Sequence, residues 1–336
     1  MKLCLVATIQ YAVDSGIAKA RVCLLLQIEI RRIQRWEQRQ KETGSMNYRR
    51  PGPEKGMHAL MPAEKLAIIA YVGQEQTSDM SLQQLSHTGR EKGVFCVSAS
   101  GVRSILLANG LVTQRNEKRY GTGTSLPPAR PAELTGPNMC WTWDISYLLT
   151  TVHRMFYYLY VMLDEWSRKA VAWQVTYTLE AAEAKQLIST AVLSEGLLDV
   201  PCEQRPVIVN DRGKQMKATS VKTMLADLHM PQIFARPHTP DDNPFIESLF
   251  GTIKSAPSWP NRFPANDIIF VRSYFDNYFH WYNTQHFHSG IQYLHPADKH
   301  AGLEEQIIRE RESQLTNQRN ARKMYWLNQK LTGSSL

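Results

Sequence analysis

The sequence predicts an α/β fold: a mixed five-stranded sheet with flanking helices, preceded by all-α modules. Three consecutive segments rich in Trp, Tyr, Val and Ile are separated by short polar breaks and predict an antiparallel meander. These segments are 140–149, 155–164 and 169–177. Helical and strand patterns then alternate: a helix over 179–195, a strand over 206–210, a helix over 218–228 and a strand over 232–235. Strands followed by alternating helices and strands predict helices packed on the faces of one sheet.

Length and composition exclude several classes of protein. The chain has 336 residues, of which 43% are hydrophobic, and this is enough material for about two domains with real cores. It has no apolar run of the length that a membrane span needs, so no membrane partner is expected. The five cysteines are scattered and never form Cys-x-x-Cys, which argues against a zinc knuckle and favours a reducing cytoplasm.

The positive charge is concentrated in the first part of the chain. Residues 1–136 contain 19 Lys and Arg against 11 Asp and Glu, whereas residues 137–336 contain 20 of each. A basic part joined to a neutral part suggests one part that finds a polyanion and another that acts on it. Ordinary solubilising charge is the alternative explanation.

Gly- and Pro-rich stretches divide the chain, and two all-α modules precede the α/β part. The expected domains are 1–46, 57–120, a linker over 121–137, a core over 138–300 and a basic helical tail over 301–336. In the first module, short helices surround a glycine turn, and the last helix carries Arg31, Arg32 and Arg35. In the second, Ser98 begins a helix over 99–109 that carries Arg103. Both modules are predicted to be helix-turn-helix units, although many three-helix domains bind no DNA.

Three acidic residues stand where the predicted sheet would present them. Asp144 lies inside the first strand among apolar and aromatic residues, where an unpaired carboxylate is costly. Asp211 directly follows the fourth strand, at the edge where open α/β sheets place ligands. Glu247 lies in a helix for which Asn243 is the expected cap and Pro244 the first residue. Taken singly, a turn aspartate, a solvated glutamate and an Asp144 paired with an arginine are the simpler explanations.

The face of that last helix adds two further candidates. Glu247, Gly251 and Lys254 are spaced so that they share one side of the helix. Gly251 leaves room for another backbone, and Lys254 is placed to meet a phosphate. His286 and His288, further along the chain, lack a Cys or acidic partner at ligand spacing, so a metal site there is disfavoured.

These motifs resemble those of bacterial insertion-sequence transposases with a retroviral-integrase-type catalytic core. The resemblance covers about residues 130–300, and 35 residues separate Asp211 from Glu247, as is typical of that family. The matching blocks are 143–146 (Trp-Asp-Ile-Ser), 164–168 (Asp-Glu-Trp-Ser-Arg), 210–215 (Asn-Asp-Arg-Gly-Lys-Gln), 242–254, which contains Glu247, and 281–291, which begins Trp-Tyr-Asn.

The resemblance implies a ribonuclease H-like fold and a metal-dependent DNA transposase. Asp144, Asp211 and Glu247 are then the catalytic residues and the ligands of two Mg²⁺ (or Mn²⁺) ions, with Asp144 bridging both. The expected reactions are cleavage at the 3′ ends of the element and strand transfer. The DNA-binding residues would be Arg212, Asn243, Lys254, Arg31, Arg32, Arg35 and Arg103.

The partners implied are double-stranded DNA, both element ends and target, and further copies of the chain in a homodimer or higher oligomer. The expected location is the bacterial cytoplasm, at the nucleoid. Two alternatives remain: a catalytically silent DNA-binding regulator derived from such an enzyme, and a ribonuclease H-like nuclease.

Overall fold

The computed structural model describes residues 2–46, 56–111, 133–235 and 243–333, and the chain divides into two units, residues 1–59 and 60–336. Residues 47–55, between the first two predicted domains, and residues 121–132 of the predicted linker lie outside the described residues. Among the described helices, none is long and apolar enough to cross a membrane.

The first unit contains the short helices that the sequence predicts. They are α1 (Lys2–Asp14), α2 (Lys19–Leu25) and α3 (Ile30–Thr43). Gly16, with φ of +89°, makes the turn after α1, a left-handed conformation that favours glycine. Ile9, Val22 and Ile33 form the buried centre of the unit, and Arg31, Arg32 and Arg35 are exposed on α3.

The second unit begins with another set of three helices. They are α4 (Pro62–Val72), α5 (Leu82–Glu91) and α6 (Ala99–Ala108). Ser81 and Ser98 cap α5 and α6 by accepting backbone N–H bonds from Gln84 and Gly101. Gly89 is needed for close packing, because a Cβ there would lie 2.4 Å from the Phe95 ring.

Five strands form one mixed sheet in the order β3-β2-β1-β4-β5. They are β1 (Cys140–Leu149), β2 (Phe156–Asp164), β3 (Ala170–Thr176), β4 (Val207–Asn210) and β5 (Gln232–Phe234). β1, β2 and β3 are antiparallel, whereas β4 lies parallel to both β1 and β5. This order and these directions are those of the ribonuclease H-like sheet, so the predicted fold class is confirmed.

Helices cover both faces of the sheet. α7 (Ala181–Ser194) and α8 (Thr219–Asp227) pack on one face, against side chains that include Trp141 and Trp143. α9 (Pro244–Ser255) and α10 (Ile268–Thr284) pack on the other face, against side chains that include Leu148 and Val161. Because alternate residues of a strand point to opposite faces, β1 directs its two tryptophans to α7 and α8 and its even-numbered residues to α9 and α10.

The chain ends in two helices, α11 (Pro296–His300) and α12 (Glu304–Gly333). The predicted basic tail is therefore mostly one long helix. α12 contacts the helices at the start of the same unit: the Arg322 guanidinium donates to both carboxylate oxygens of Glu64, at 2.7 and 3.0 Å, and to the carbonyl of Cys96.

Candidate active site

Asp144 lies near the middle of β1, on the face of the sheet covered by α9. Thr142, two residues earlier, donates a hydrogen bond to the side chain of Asn243 at the start of α9. Leu148, four residues later, belongs to the core that α9 and α10 share with the sheet. Since alternate side chains of a strand share a face, the half-buried Asp144 faces the same side as these two.

Asp211 directly follows β4, the strand that lies beside β1. β1 and β4 are parallel, with Trp143 opposite Asn210, so the next residue of each strand brings Asp144 opposite Asp211. Adjacent strands are about 4.8 Å apart, and residues opposite each other point to the same face. Asp211 itself is exposed, and its Oδ1 accepts a hydrogen bond of 2.9 Å from the N–H of Gly213.

Glu247 approaches the same place from α9. It is exposed and lies one turn into the helix, which Thr142 joins to β1 through Asn243. The side chain of Asn243, at the N-cap position, makes no capping hydrogen bond. The prediction that the Asn243 side chain caps α9 was therefore wrong. Its Oδ1 accepts the hydrogen bond of Thr142 instead of one from the backbone of the helix.

The charges of Asp211 and Glu247 act on Asp144. Burial raises the pKa of Asp144 to about 7, and although the backbone hydrogen bond of Ile145 opposes this, the charges of Asp211 and Glu247 raise it as well. The Lys254 ammonium, further along α9, favours the ionised form. Repulsion of this kind requires that the three acids lie near one another.

This donor set fits a divalent cation in its chemistry. Carboxylate oxygens are the ligands that Mg²⁺ and Mn²⁺ prefer, and a cation would favour the ionised form of Asp144, which burial and the charges of Asp211 and Glu247 disfavour. Within the described ranges, however, no three His, Cys, Asp or Glu side chains form a group that could hold a metal ion. The fit to a cation therefore rests on Asp144 and Asp211. Glu247 lies on the adjacent helix but does not complete a set of three ligands.

The residues predicted to bind DNA lie in different places. Arg212 is exposed beside Asp211, although its Nε donates to the carbonyl of Ala235 at 2.9 Å, and Lys254 is exposed on the Glu247 face of α9. Arg103 is exposed on α6. Asn243 is buried, and its side chain is hydrogen-bonded to Thr142. The structure thus gives it a contact inside the protein rather than an exposed position. Arg31, Arg32 and Arg35 belong to the first unit.

The two histidines disfavoured as metal ligands are half-buried. Burial lowers the pKa of His286 and that of His288 to about 4, and neighbouring charges act in the same direction. His286 stacks on the ring of Tyr282 with centroids 5.3 Å apart. Both imidazoles are therefore neutral at pH 7.

The structure has a buried polar network at the end of β2 that the sequence analysis did not predict. Asp164 and Ser167 are fully buried, and Ser167 Oγ lies 2.8 Å from His300 Nδ1. His300 Nε2 in turn lies 2.7 Å from Glu195. Burial would raise the pKa of Glu195, but the hydrogen bonds from His300 and Lys169 outweigh it and lower the pKa to about 2. The sequence signal was the block 164–168, which lies at the end of an apolar strand.

Known proteins match the same part of the chain. Two models described as integrase core domain match residues 135–240 and 229–296. The transposase for insertion sequence element IS904 of Lactococcus lactis is 27% identical over 168 residues, which are 49% of this chain and 62% of that protein. A putative transposase for IS986/IS6110 of Mycobacterium tuberculosis is 26% identical over 182 residues, 51% of this chain and 63% of that protein. The chain thus covers less than two thirds of the length of these relatives.

Two solved structures align with the chain at low sequence identity. A chain of the simian T-cell lymphotropic virus intasome aligns with 14% identity and a TM-score of 0.39 over 70% of this chain and 74% of its own length. The catalytic domain of the Mos1 mariner transposase aligns with 17% identity and a TM-score of 0.36 over 54% and 83%. Residues 135–296 thus match the integrase core domain, and the curated relatives that the chain resembles there are insertion sequence transposases.

Proposed function

We propose that the protein is the transposase of an insertion sequence. It binds the two ends of the element, cleaves them at the 3′ side and transfers the new ends into a target duplex. The observation that carries the proposal is the register of β1 and β4, which sets Asp144 opposite Asp211, with Glu247 on the adjacent helix α9.

In the proposed enzyme, Asp144, Asp211 and Glu247 hold divalent cations, Mg²⁺ or Mn²⁺. When bound, these ions activate the attacking oxygen and stabilise the leaving oxygen of a phosphodiester. The chain itself places these acids near the middle of β1, directly after β4 and on α9. Lys254 and Arg212, both cationic and exposed, hold DNA phosphates.

The helical modules supply the choice of site. Arg31, Arg32 and Arg35 on α3 and Arg103 on α6 are exposed arginines on short helices, and helices of this size fit the major groove. Because two ends must be joined to one target, the active form holds at least two copies of the chain on DNA.

An assay with labelled DNA tests this function. The protein is incubated with Mn²⁺, a target duplex and duplexes that carry the inverted repeats flanking its gene, beside an Asp211→Asn control. We expect joined product from the wild type and none from the variant. Binding without cleavage by both proteins would instead favour a silent regulator, and cleavage without joining would favour a nuclease.

A further inference from the structure

The turn that joins β2 to β3 is fixed from the inside. Asp164, at the end of β2, is fully buried, and its carboxylate accepts hydrogen bonds from the N–H of Asn138 at 2.8 Å and from the N–H and Oγ of Ser167 at 2.7 Å. The N–H of Arg168 donates to the carbonyl of Asp164 at 2.9 Å. The carboxylate therefore holds the backbone of the whole turn.

Both neighbours of Arg168 are anchored as well. Ser167 is bonded to His300, and Lys169 forms an ion pair of 2.7 Å with Glu195. Between them, Arg168 has φ of +66°, in the left-handed region that residues with a side chain rarely adopt. Such a conformation persists only where its surroundings impose it. The network around Asp164 thus sets the direction of one side chain.

That side chain lies on α9. The guanidinium carbon of Arg168 is 3.3 Å from the centre of the Phe245 ring, which is close stacking of a planar cation on an aromatic face. Phe245 is the second residue of α9, and Glu247 follows two residues later. The first turn of α9 is consequently joined to the sheet at two points, Asn243 through Thr142 and Phe245 through Arg168.

We propose that Arg168 is a positioning residue for Glu247: by stacking on Phe245 it fixes the first turn of α9 and hence the distance of the Glu247 carboxylate from Asp144 and Asp211. The inference rests on the proposed function, because it gives Glu247 a metal to bind. It assigns a use to the block 164–168, whose side chains do not form part of the carboxylate site.

The test is direct measurement of Mn²⁺ binding by electron paramagnetic resonance, on the full chain, with thermal unfolding alongside. Arg168→Met removes the planar cation, and Phe245→Leu removes the ring. Each is expected to weaken Mn²⁺ binding on the order of 10-fold, the effect typical of residues that orient metal ligands. Arg168→Lys, which keeps the charge over the ring, should recover part of that loss.

The matched control is Arg205→Met. Arg205 also ties loops together, by donating to the carbonyls of Val200, Leu198 and Leu228, but it acts on the α8 side of the sheet. This variant should unfold at a lower temperature while its Mn²⁺ affinity stays at the wild-type value. A loss of affinity in this control equal to that of Arg168→Met would reduce the role of Arg168 to general stability and overturn the proposal.

A double-mutant cycle separates action through Glu247 from other effects. If Arg168 acts through Glu247, then Arg168→Met adds no further loss of affinity in a Glu247→Gln background. The inference would be contradicted if the double variant lost affinity by the product of the two single losses. It would also be contradicted if Arg168→Met bound Mn²⁺ with wild-type affinity. Should Arg168→Met fail to fold, the cycle of Phe245→Leu with Glu247→Gln decides in the same way. Wild-type protein that neither binds Mn²⁺ nor cleaves DNA would instead refute the proposed function.

Discussion

The carboxyl group of Asp144 is the most strained electrostatic feature of the site at the scale of single residues. Burial and the charges of Asp211 and Glu247 raise its pKa to about 7 from the ordinary value of 3.8. Between these two pH values the carboxyl group is protonated in the folded protein and ionised in the unfolded chain. The folded state binds more protons between these two values, so stability falls as pH rises through that range. A divalent cation reverses the balance by favouring the ionised form.

Asp144→Asn is therefore expected to stabilise the protein at pH 8 while abolishing cleavage. The gain in the free energy of unfolding should be about 2–4 kcal/mol at pH 8, because each pKa unit is worth about 1.4 kcal/mol, and should disappear near pH 4. Denaturant unfolding at both pH values measures it. Asp227→Asn, at an exposed position in α8, is the control and should change little. A gain that is equal at both pH values would refute this origin of the effect.

At the scale of elements, the sequence predicts the sheet well and the contacts between distant segments poorly. The predicted ends of β1 agree with the structure, and those of the other strands agree within one residue, because runs of aromatic and β-branched residues end at polar breaks. Local rules also gave the position of Asp211. The partners of Thr142 and Ser167 were not predictable in this way, since Asn243 and His300 lie more than a hundred residues further along the chain.

The ion pair between α4 and α12 offers a test at the same scale. Glu64 and Arg322 are both buried, and Arg322→Met would leave the Glu64 carboxylate without its cation. We expect a loss of about 3–5 kcal/mol in the free energy of unfolding, as for other broken buried pairs. Changing Glu64 to Met in the same chain should restore much of it, because no buried charge then remains. Chemical denaturation of both variants decides, and a single variant as stable as the wild type would contradict the assignment.

For the whole molecule, the uneven charge is the feature with a measurable consequence. Residues 1–59 carry 11 Lys and Arg against 5 Asp and Glu, so most of the net charge of +8 belongs to the first unit. Three of these arginines are exposed on α3. Residues 60–336, by contrast, contain 28 Lys and Arg against 26 Asp and Glu, so the unit with the carboxylate site is nearly neutral.

Replacing Arg31, Arg32 and Arg35 together with Gln should weaken DNA binding and its dependence on salt. The slope of log K against log salt concentration should become shallower by about 0.9 for each phosphate that the protein no longer neutralises, hence by about 3 for the triple variant. Fluorescence anisotropy over a salt series measures this slope. Arg309→Gln, on the exposed side of α12, is the control. An unchanged slope in the triple variant would remove α3 from the DNA interface.

The central claim is that Asp144, Asp211 and Glu247 together hold metal ions beside a DNA strand. Anomalous diffraction from Mn²⁺ in crystals of the protein bound to a cleaved element end tests it most directly. The account predicts manganese peaks bounded by these three carboxylates and next to the terminal phosphate. Peaks coordinated by other side chains, or a complex with DNA in which no manganese lies at this edge of the sheet, would contradict it.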